Sequence, residues 1–189
     1  MNYSIDKREI NAMLRDGKTM LYPTDTVWGI GCDATNDKVC KKVSGLKNNP
    51  SDKPLICLVS SDAMLNRIVS DVPEIAWDLI DESVNPLTIV LPNGKGVCKS
   101  VLAEDGSIAV RFVKNGLLQQ LIHNFGEPII STSANLHGNN FAKSFSKIDG
   151  VIKCGVDFVI DETNFPLGTN KPSSIIKVGA SNEIKIIRA

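Results

Sequence analysis

Apolar positions recur along the chain first at helical and then at strand intervals, and this alternation continues almost to the end. In "IDKREINAMLRDG" the residues Ile5, Ile10, Met13 and Leu14 fall at helical spacing, and Gly17 follows as a favourable helix-ending residue. "TMLY" reads as a short strand. In "NDKVCKKVSGLK" Val39, Cys40, Val43 and Leu46 share one face, with Asn36 as N-cap and lysines outside. "PLICLV" has the length and composition of a strand, and Ser61 with Asp62 opens a helical pattern that runs to Ile68. Pro73 suits the first turn of the helix in "PEIAWDLIDESV", whose Ile75, Leu79 and Ile80 lie on one side. The strands "LTIVL" and "IAVRF" are separated by the polar loop "PNGKGVCKSVLAEDG", which is either a lid or an inert surface loop. The helix "NGLLQQLIHNF" leads to the strand "PIIS", and "DFVID", "SSIIKV" and "EIKIIR" are further strands. Strands alternating with helices predict an α/β fold, a sheet covered by helices. With no repeat and no linker, residues 1–189 are expected to form a single domain.

Composition narrows the class. The chain has 189 residues, 42% hydrophobic and 22% charged, with 21 Lys+Arg against 21 Asp+Glu, as in an ordinary soluble globular protein. Zero formal net charge removes any global attraction to nucleic acid or anionic membrane, so anion binding has to be organised by position. The cysteines Cys32, Cys40, Cys57, Cys98 and Cys154 show no C-x-x-C spacing and only His123 and His137 accompany them, which argues against structural zinc and for thiols in a reducing compartment. The N-terminus "MNYSIDKREI" is charged where a signal peptide needs an apolar run, and no segment approaches the roughly 20 apolar residues of a membrane span. A cytoplasmic location is expected.

Four stretches carry candidate chemistry. In "YPTDTVWGIG" Pro23 ends a strand, Thr24, Asp25 and Thr26 present short polar side chains, and Gly29 and Gly31 permit close approach of a ligand to the backbone. The same residues also suit a structural turn, and the chain contains neither a Walker loop nor G-x-G-x-x-G. In "LKNNPSDKPL" Lys47 and Lys53 bracket a turn, as phosphate ligands or as solvated loop lysines. Arg111 ends the apolar strand "IAVRF"; if Ala109 shares its face, the guanidinium emerges beside the core and needs an anion, from a ligand or from an internal Asp or Glu. "IISTSANLHGNN" ends a strand in Ser131, Thr132 and Ser133 followed by Asn135, which is either a ligand-reading group or a capping turn. His137 has no evident partner and receives no catalytic role.

Taken together, "YPTDTVWGIGCDA", "LKNNPSDKPL", "IAVRF", "STSANLHG" and "PSSIIKV" resemble, in order and spacing, the YrdC-like threonylcarbamoyl-AMP synthases, over about Ile5 to Arg188. That resemblance implies a twisted mixed sheet with helices and a large, positively lined concave cleft, without the extra C-terminal domain of some relatives. It also implies the joining of L-threonine, bicarbonate and ATP into threonylcarbamoyl-adenylate with release of pyrophosphate, magnesium accompanying the nucleotide. A separate transferase then completes threonylcarbamoyladenosine in tRNA. By the same resemblance Thr26, Arg111 and Ser131 are similar to threonine contacts. Lys47, Lys53, Ser107, Ser133, Asn135, Ser174 and Arg188 are similar to ATP contacts, as is the position of Asn49.

The chain departs from the family pattern at four places. Lys47-Asn48-Asn49 replaces K-x-R, Trp28 stands for the usual tyrosine, His137 for a serine, and Leu58 for a histidine of longer relatives. Asn49 removes an arginine from the expected phosphate site, for which Lys42 is a candidate substitute. The competing expectation is therefore a YciO-type RNA- or nucleotide-binding protein without the activity, in direct contact with RNA.

Overall fold

The computed structural model describes residues 6–47, 55–162 and 168–189. Helix α1 (Lys7–Arg15) starts where the Asp6 carboxylate accepts the Arg8 amide, and the chain turns at Gly17 with φ of 71°. Strands β1 (Met20–Tyr22) and β2 (Gly29–Asp33) pair antiparallel across the polar turn 23–28. Helix α2 (Asp37–Leu46) is capped by Asn36, whose side chain accepts from the Val39 amide. Strand β3 (Ile56–Val59) precedes α3 (Asp62–Ile68), capped by Ser61, and α4 (Glu74–Glu82), with Pro73 at its N-cap. Then come β4 (Leu87–Leu91), β5 (Ile108–Phe112), α5 (Gly116–Phe125) and β6 (Ile129–Ser133). A short helix α6 (Gly150–Gly155) leads to β7 (Phe158–Val159), and β8 (Ser174–Val178) with β9 (Ile184–Arg188) ends the chain.

All nine strands form one mixed sheet in the order β7-β1-β2-β6-β3-β5-β4-β8-β9. The pairs β1·β7, β3·β5 and β4·β8 are parallel and the rest antiparallel. The sequence pattern passes over β2 and α6. Strand β2, "GIGCD", has two glycines where strand composition is expected, yet Ile30 and Cys32 alternate into the core with no exposure. Helix α6 has only six residues, too few for a helical period to stand out.

One face of the sheet is covered and the other opens into a cavity. Helix α2 packs on β2 and α5 on β3, with α1 against α5. Beneath them lie Ile30, Cys32, Cys57, Val59, Val110 and Ile130, all buried. Cys32, Cys40, Cys57 and Cys98 are thus core thiols, with Cys32 Sγ and Cys40 Sγ 4.0 Å apart, and burial pushes the Cys57 thiol well above the usual thiol range.

The long loop between β4 and β5 is anchored to the body. The Gly94 amide donates to Gly106 O at 2.9 Å, the Lys95 amide to Ile68 O at 2.8 Å and the Cys98 amide to Ala34 O at 3.0 Å. Ser100 Oγ donates to Asp37 at 2.9 Å. A lid built from this segment does not fit that arrangement, and none of its residues lines the cavity. No helix of the described chain is long and apolar enough to cross a membrane.

Candidate active site

The open face of the sheet forms the floor of a cavity of about 570 Å³. Antiparallel and parallel registers place Gly31, Ser131, Ile56, Ala109 and Val90 in one row across β2, β6, β3, β5 and β4. A second row carries Leu58, Arg111, Thr88 and Ile175, and Arg188 follows opposite Ile175 at a β-bulge. Directly paired residues share a face, so the alternation that buries Val110 under helices aims Ala109 and Arg111 into the cavity. The walls come from the turn 24–27, from Lys47 at the end of α2, from the segment 135–141 and from Pro172 and Ser173. Three cations, Lys47, Arg111 and Arg188, line it, and no carboxylate does among the described residues.

Arg111 stands near the middle, with only 5% of its side chain exposed. Its Nη1 lies 2.9 Å from Asp25 Oδ1 and donates to Thr26 Oγ1 at 3.3 Å. Both partners belong to the turn after β1, which is rigid for local reasons. Thr24 Oγ1 donates to Val27 O at 2.7 Å and accepts the Thr26 amide at 3.0 Å, a side-chain turn of the kind threonine forms. The turn is clamped from outside by the Gly168 amide on Thr24 O and the Thr169 amide on Asp25 O. A side chain on Gly168 would collide with the Asp25 backbone. Next to this group the Tyr22 hydroxyl donates to Ser131 Oγ at 2.9 Å. Burial pushes the Tyr22 phenol up to about 12, so it stays a proton donor and leaves the Ser131 hydroxyl proton to point elsewhere.

Lys47 lines another part of the cavity. It is 4% exposed, and its ammonium donates to Thr132 Oγ1 at 2.9 Å, to Ser133 Oγ at 3.1 Å and to the Ser133 carbonyl. The picture of a solvated loop lysine is therefore corrected: the C-terminal turn of α2 folds the side chain onto the end of β6. Asn135 Nδ2 donates to Leu136 O and Asn139 O at 3.1 and 2.7 Å, while its buried Oδ1 has no partner among the described residues. On the far wall Arg188 donates from Nε and Nη2 to Ser173 O at 3.1 and 2.6 Å, and Ser173 Oγ pairs with Thr88 Oγ1 at 2.7 Å.

Of the residues named from sequence, Thr26, Lys47, Arg111, Ser131, Ser133, Asn135 and Arg188 come together around this cavity. Ser107 and Ser174 do not. Ser107 Oγ is turned to Asp105 at 2.5 Å, before β5 begins. Ser174 has the parity of the core residues Ile176 and Val178, so its neighbour Ser173 reaches the cavity instead. Asn49 and Lys53 lie outside the described residues. Lys42 does not substitute for an arginine in the cavity, because its ammonium is held by Asp157 at 2.8 Å. The reason offered for the glycines also changes. A Cβ on Gly29 would meet Thr24 and Ser131 at 3.1 and 3.2 Å, and one on Gly31 would meet Met20 and Tyr22 at 2.7 and 3.0 Å. Gly31 makes room for protein packing, whereas Gly29 lines the cavity itself, beside Thr24 and Ser131. His137 and Ser173 line the site and were not singled out as ligand contacts, while Asp25 and Thr132 belonged to the candidate stretches without a ligand being assigned to them.

Among the described residues no group of three or more His, Cys, Asp or Glu is placed to hold a metal ion. The groups offered to a ligand are hydroxyls and cations, which suit an anionic, oxygen-rich molecule, and one amide oxygen that accepts.

Comparison with known proteins agrees with this geometry. The Sua5/YciO/YrdC family model, described as telomere recombination, matches residues 12–189, and the chain belongs to that family. A protein of Pseudoalteromonas translucida named threonylcarbamoyl-AMP synthase is 31% identical over 174 residues, 90% of this chain and 91% of the relative. Its namesake in Saccharophagus degradans is 36% identical over 132 residues, 69% of each chain. Among solved structures, P. abyssi Sua5 complexed with L-threonine superposes with a TM-score of 0.79 at 26% identity, covering 94% of this chain and 53% of that one. The chain thus spans about half the length of that protein. E. coli YciO shares the fold with a TM-score of 0.79 at 22% identity, covering 99% of this chain and 91% of that one.

Proposed function

We propose that this protein is an L-threonylcarbamoyladenylate synthase, a nucleotidyltransferase that makes threonylcarbamoyl-AMP and pyrophosphate from L-threonine, bicarbonate and ATP. The observation that carries the reading is the convergence of Arg111, Thr26 and Ser131 with Lys47, Ser133, Asn135 and Arg188 around a single cavity. The names of the relatives and the threonine complex of P. abyssi Sua5 support the substrate assignment. In this reading the whole chain acts as one catalytic domain in tRNA modification in the cytoplasm, and a separate transferase takes the product to tRNA.

The amine nitrogen of threonine bonds the carbon of bicarbonate, water leaves, and the product is a carbamate. A carbamate oxygen then attacks the α-phosphorus of ATP and pyrophosphate departs. Neither step needs a protein nucleophile, so the work of the chain is positioning and charge stabilisation. Arg111 holds the amino-acid carboxylate, with Thr26 and Ser131 beside its polar groups. Lys47 and Arg188 face the nucleotide, Ser133 offers a hydroxyl, and the orphaned Asn135 Oδ1 accepts a donor that the nucleotide brings. Magnesium would enter with ATP and be carried chiefly by phosphate and water.

The test is to incubate the pure protein with ATP, magnesium, bicarbonate and labelled threonine. Pyrophosphate release that requires threonine, with label appearing in an adenylate, is the expected result. Release independent of threonine, or none, would favour the non-catalytic nucleotide- or RNA-binding alternative.

A further inference from the structure

We infer that Asp25 is the acceptor for the α-ammonium group of the bound amino acid, so that Asp25 and Arg111 together read a zwitterion. The inference rests on the threonine reading above and adds a residue that decides substrate class. An α-amino acid carries a carboxylate and an ammonium group on one carbon. Its complement is a guanidinium and a carboxylate side by side, and Arg111 Nη1 with Asp25 Oδ1 at 2.9 Å is such a pair.

The pair is asymmetric in a way that an internal salt bridge does not need. Arg111 has 5% of its side chain exposed, Asp25 has 47%. Only Nη1 of the guanidinium is engaged among the described residues, which leaves Nε and Nη2, a ready fork for a carboxylate, on a residue that lines the cavity. Likewise Oδ2 of Asp25 has no partner among the described residues, and the residue lies in the chain between the cavity-lining Thr24 and Thr26, with its Oδ1 against the cavity-lining Arg111. Its backbone is fixed by the Thr169 amide and by the threonine turn, so the carboxylate is presented from a rigid support. A cavity built to bind ATP would gain nothing from a carboxylate at its rim; an amino acid with a cationic end does.

The experiment measures calorimetric affinity for L-threonine and for its α-hydroxy analogue, in which a hydroxyl replaces the amine, on the unsubstituted protein and on Asp25→Asn. The unsubstituted protein should prefer threonine by roughly tenfold or more, the worth of a charge-assisted hydrogen bond. Asp25→Asn should abolish most of that preference while binding the analogue within about twofold of the unsubstituted protein. A variant that keeps the full preference overturns the inference. One that loses both ligands equally also overturns it, because Asp25 would then serve only to hold Arg111. An unsubstituted protein that binds neither ligand removes the threonine reading itself and this inference with it.

Discussion

Replacing Gly31 by alanine tests how the core supports the site. Gly31 lies in β2 opposite Met20 of β1 and Ser131 of β6. An added Cβ would stand 2.7 Å from Met20 Cε, 3.0 Å from Tyr22 Cε1 and 3.1 Å from the Ile130 carbonyl oxygen. The methionine end is flexible, but Met20 and Tyr22 are both fully buried, and the third neighbour is backbone of the adjacent strand. With a glycine whose φ is not positive, a clash-free alanine would stabilise by about 0.4–1 kcal/mol through the unfolded chain. Overpacking here works against that, at about 1–3 kcal/mol, and wins. The expected net loss is on the order of 1–2 kcal/mol, with a fall in melting midpoint of about 2–4 °C per kcal/mol for a chain of this size. The consequence reaches the cavity because the displaced Tyr22 ring carries the hydroxyl that sits 2.9 Å from Ser131 Oγ. Threonine affinity should therefore drop several-fold. Urea titration gives the first quantity and calorimetry the second. An unchanged or raised urea midpoint refutes the packing argument, and lost stability with unaltered threonine affinity refutes its connection to the site.

Lys47→Met keeps the buried stem and removes the ammonium that holds Thr132 and Ser133. ATP affinity should fall roughly tenfold or more, since a hydrogen bond to a charged group is worth about 1.5–3 kcal/mol, and an unaltered ATP titration would move the phosphate site elsewhere. Asp157 is pushed up by burial, but hydrogen bonds from Lys42 and from the amide and hydroxyl of Thr19 outweigh this and hold it down at about 2. A depressed carboxylate stabilises fully above its unfolded value of about 3.9 and loses that contribution as pH falls through about 2. Screening of this partly exposed group leaves about 1 kcal/mol. Asp157→Asn should lower the urea midpoint at neutral pH and flatten its decline between about pH 4 and 2; an unchanged acid limb counts against the tie. By its resemblance to the family pattern Asn49 is similar in position to an arginine; a charged, bidentate group there in place of the neutral amide differs by order 1–2 kcal/mol, so Asn49→Arg should improve threonine-dependent pyrophosphate release roughly five- to thirtyfold. No improvement in an active enzyme would show that Asn49 does not limit it.

The elements with strong periodicity were legible because their burial follows their own sequence. Val39, Cys40 and Val43 face inward in α2, and Leu118, Leu121 and Ile122 do so in α5. Alternation also brought out Arg111, since Ala109 on the same strand face put a guanidinium beside apolar neighbours. What sequence could not supply was the partner from another part of the chain. Both alternatives for Arg111, a ligand anion or an internal carboxylate, stayed open because Asp25 is brought to it only by tertiary structure. Lys47 looked solvated because its acceptors are in β6, more than eighty residues away along the chain. Ser174, named by resemblance, lies off the cavity that Ser173 lines, because a one-residue step within "PSS" fixes which face a hydroxyl joins, and only the β4·β8 register makes that choice.

The cavity cations share a design that bears on binding. Each is already held by protein oxygens: Arg111 by Asp25 and Thr26, Lys47 by Thr132 and Ser133, and Arg188 by Ser173. Long cationic side chains normally lose much rotamer freedom when a ligand fixes them, at about 0.5–1.5 kcal/mol each. Here that cost is met in folding, and the holder of Arg188 among the described residues is the neutral Ser173 carbonyl. Arg111 differs because its holder includes an anion, which lowers the local field where the two meet. In the sheet it stands on β5, between β6, whose end holds Lys47, and β9, which carries Arg188. A guanidinium beside a carboxylate suits a ligand with both charges on one carbon, and the cations to either side suit an anionic one.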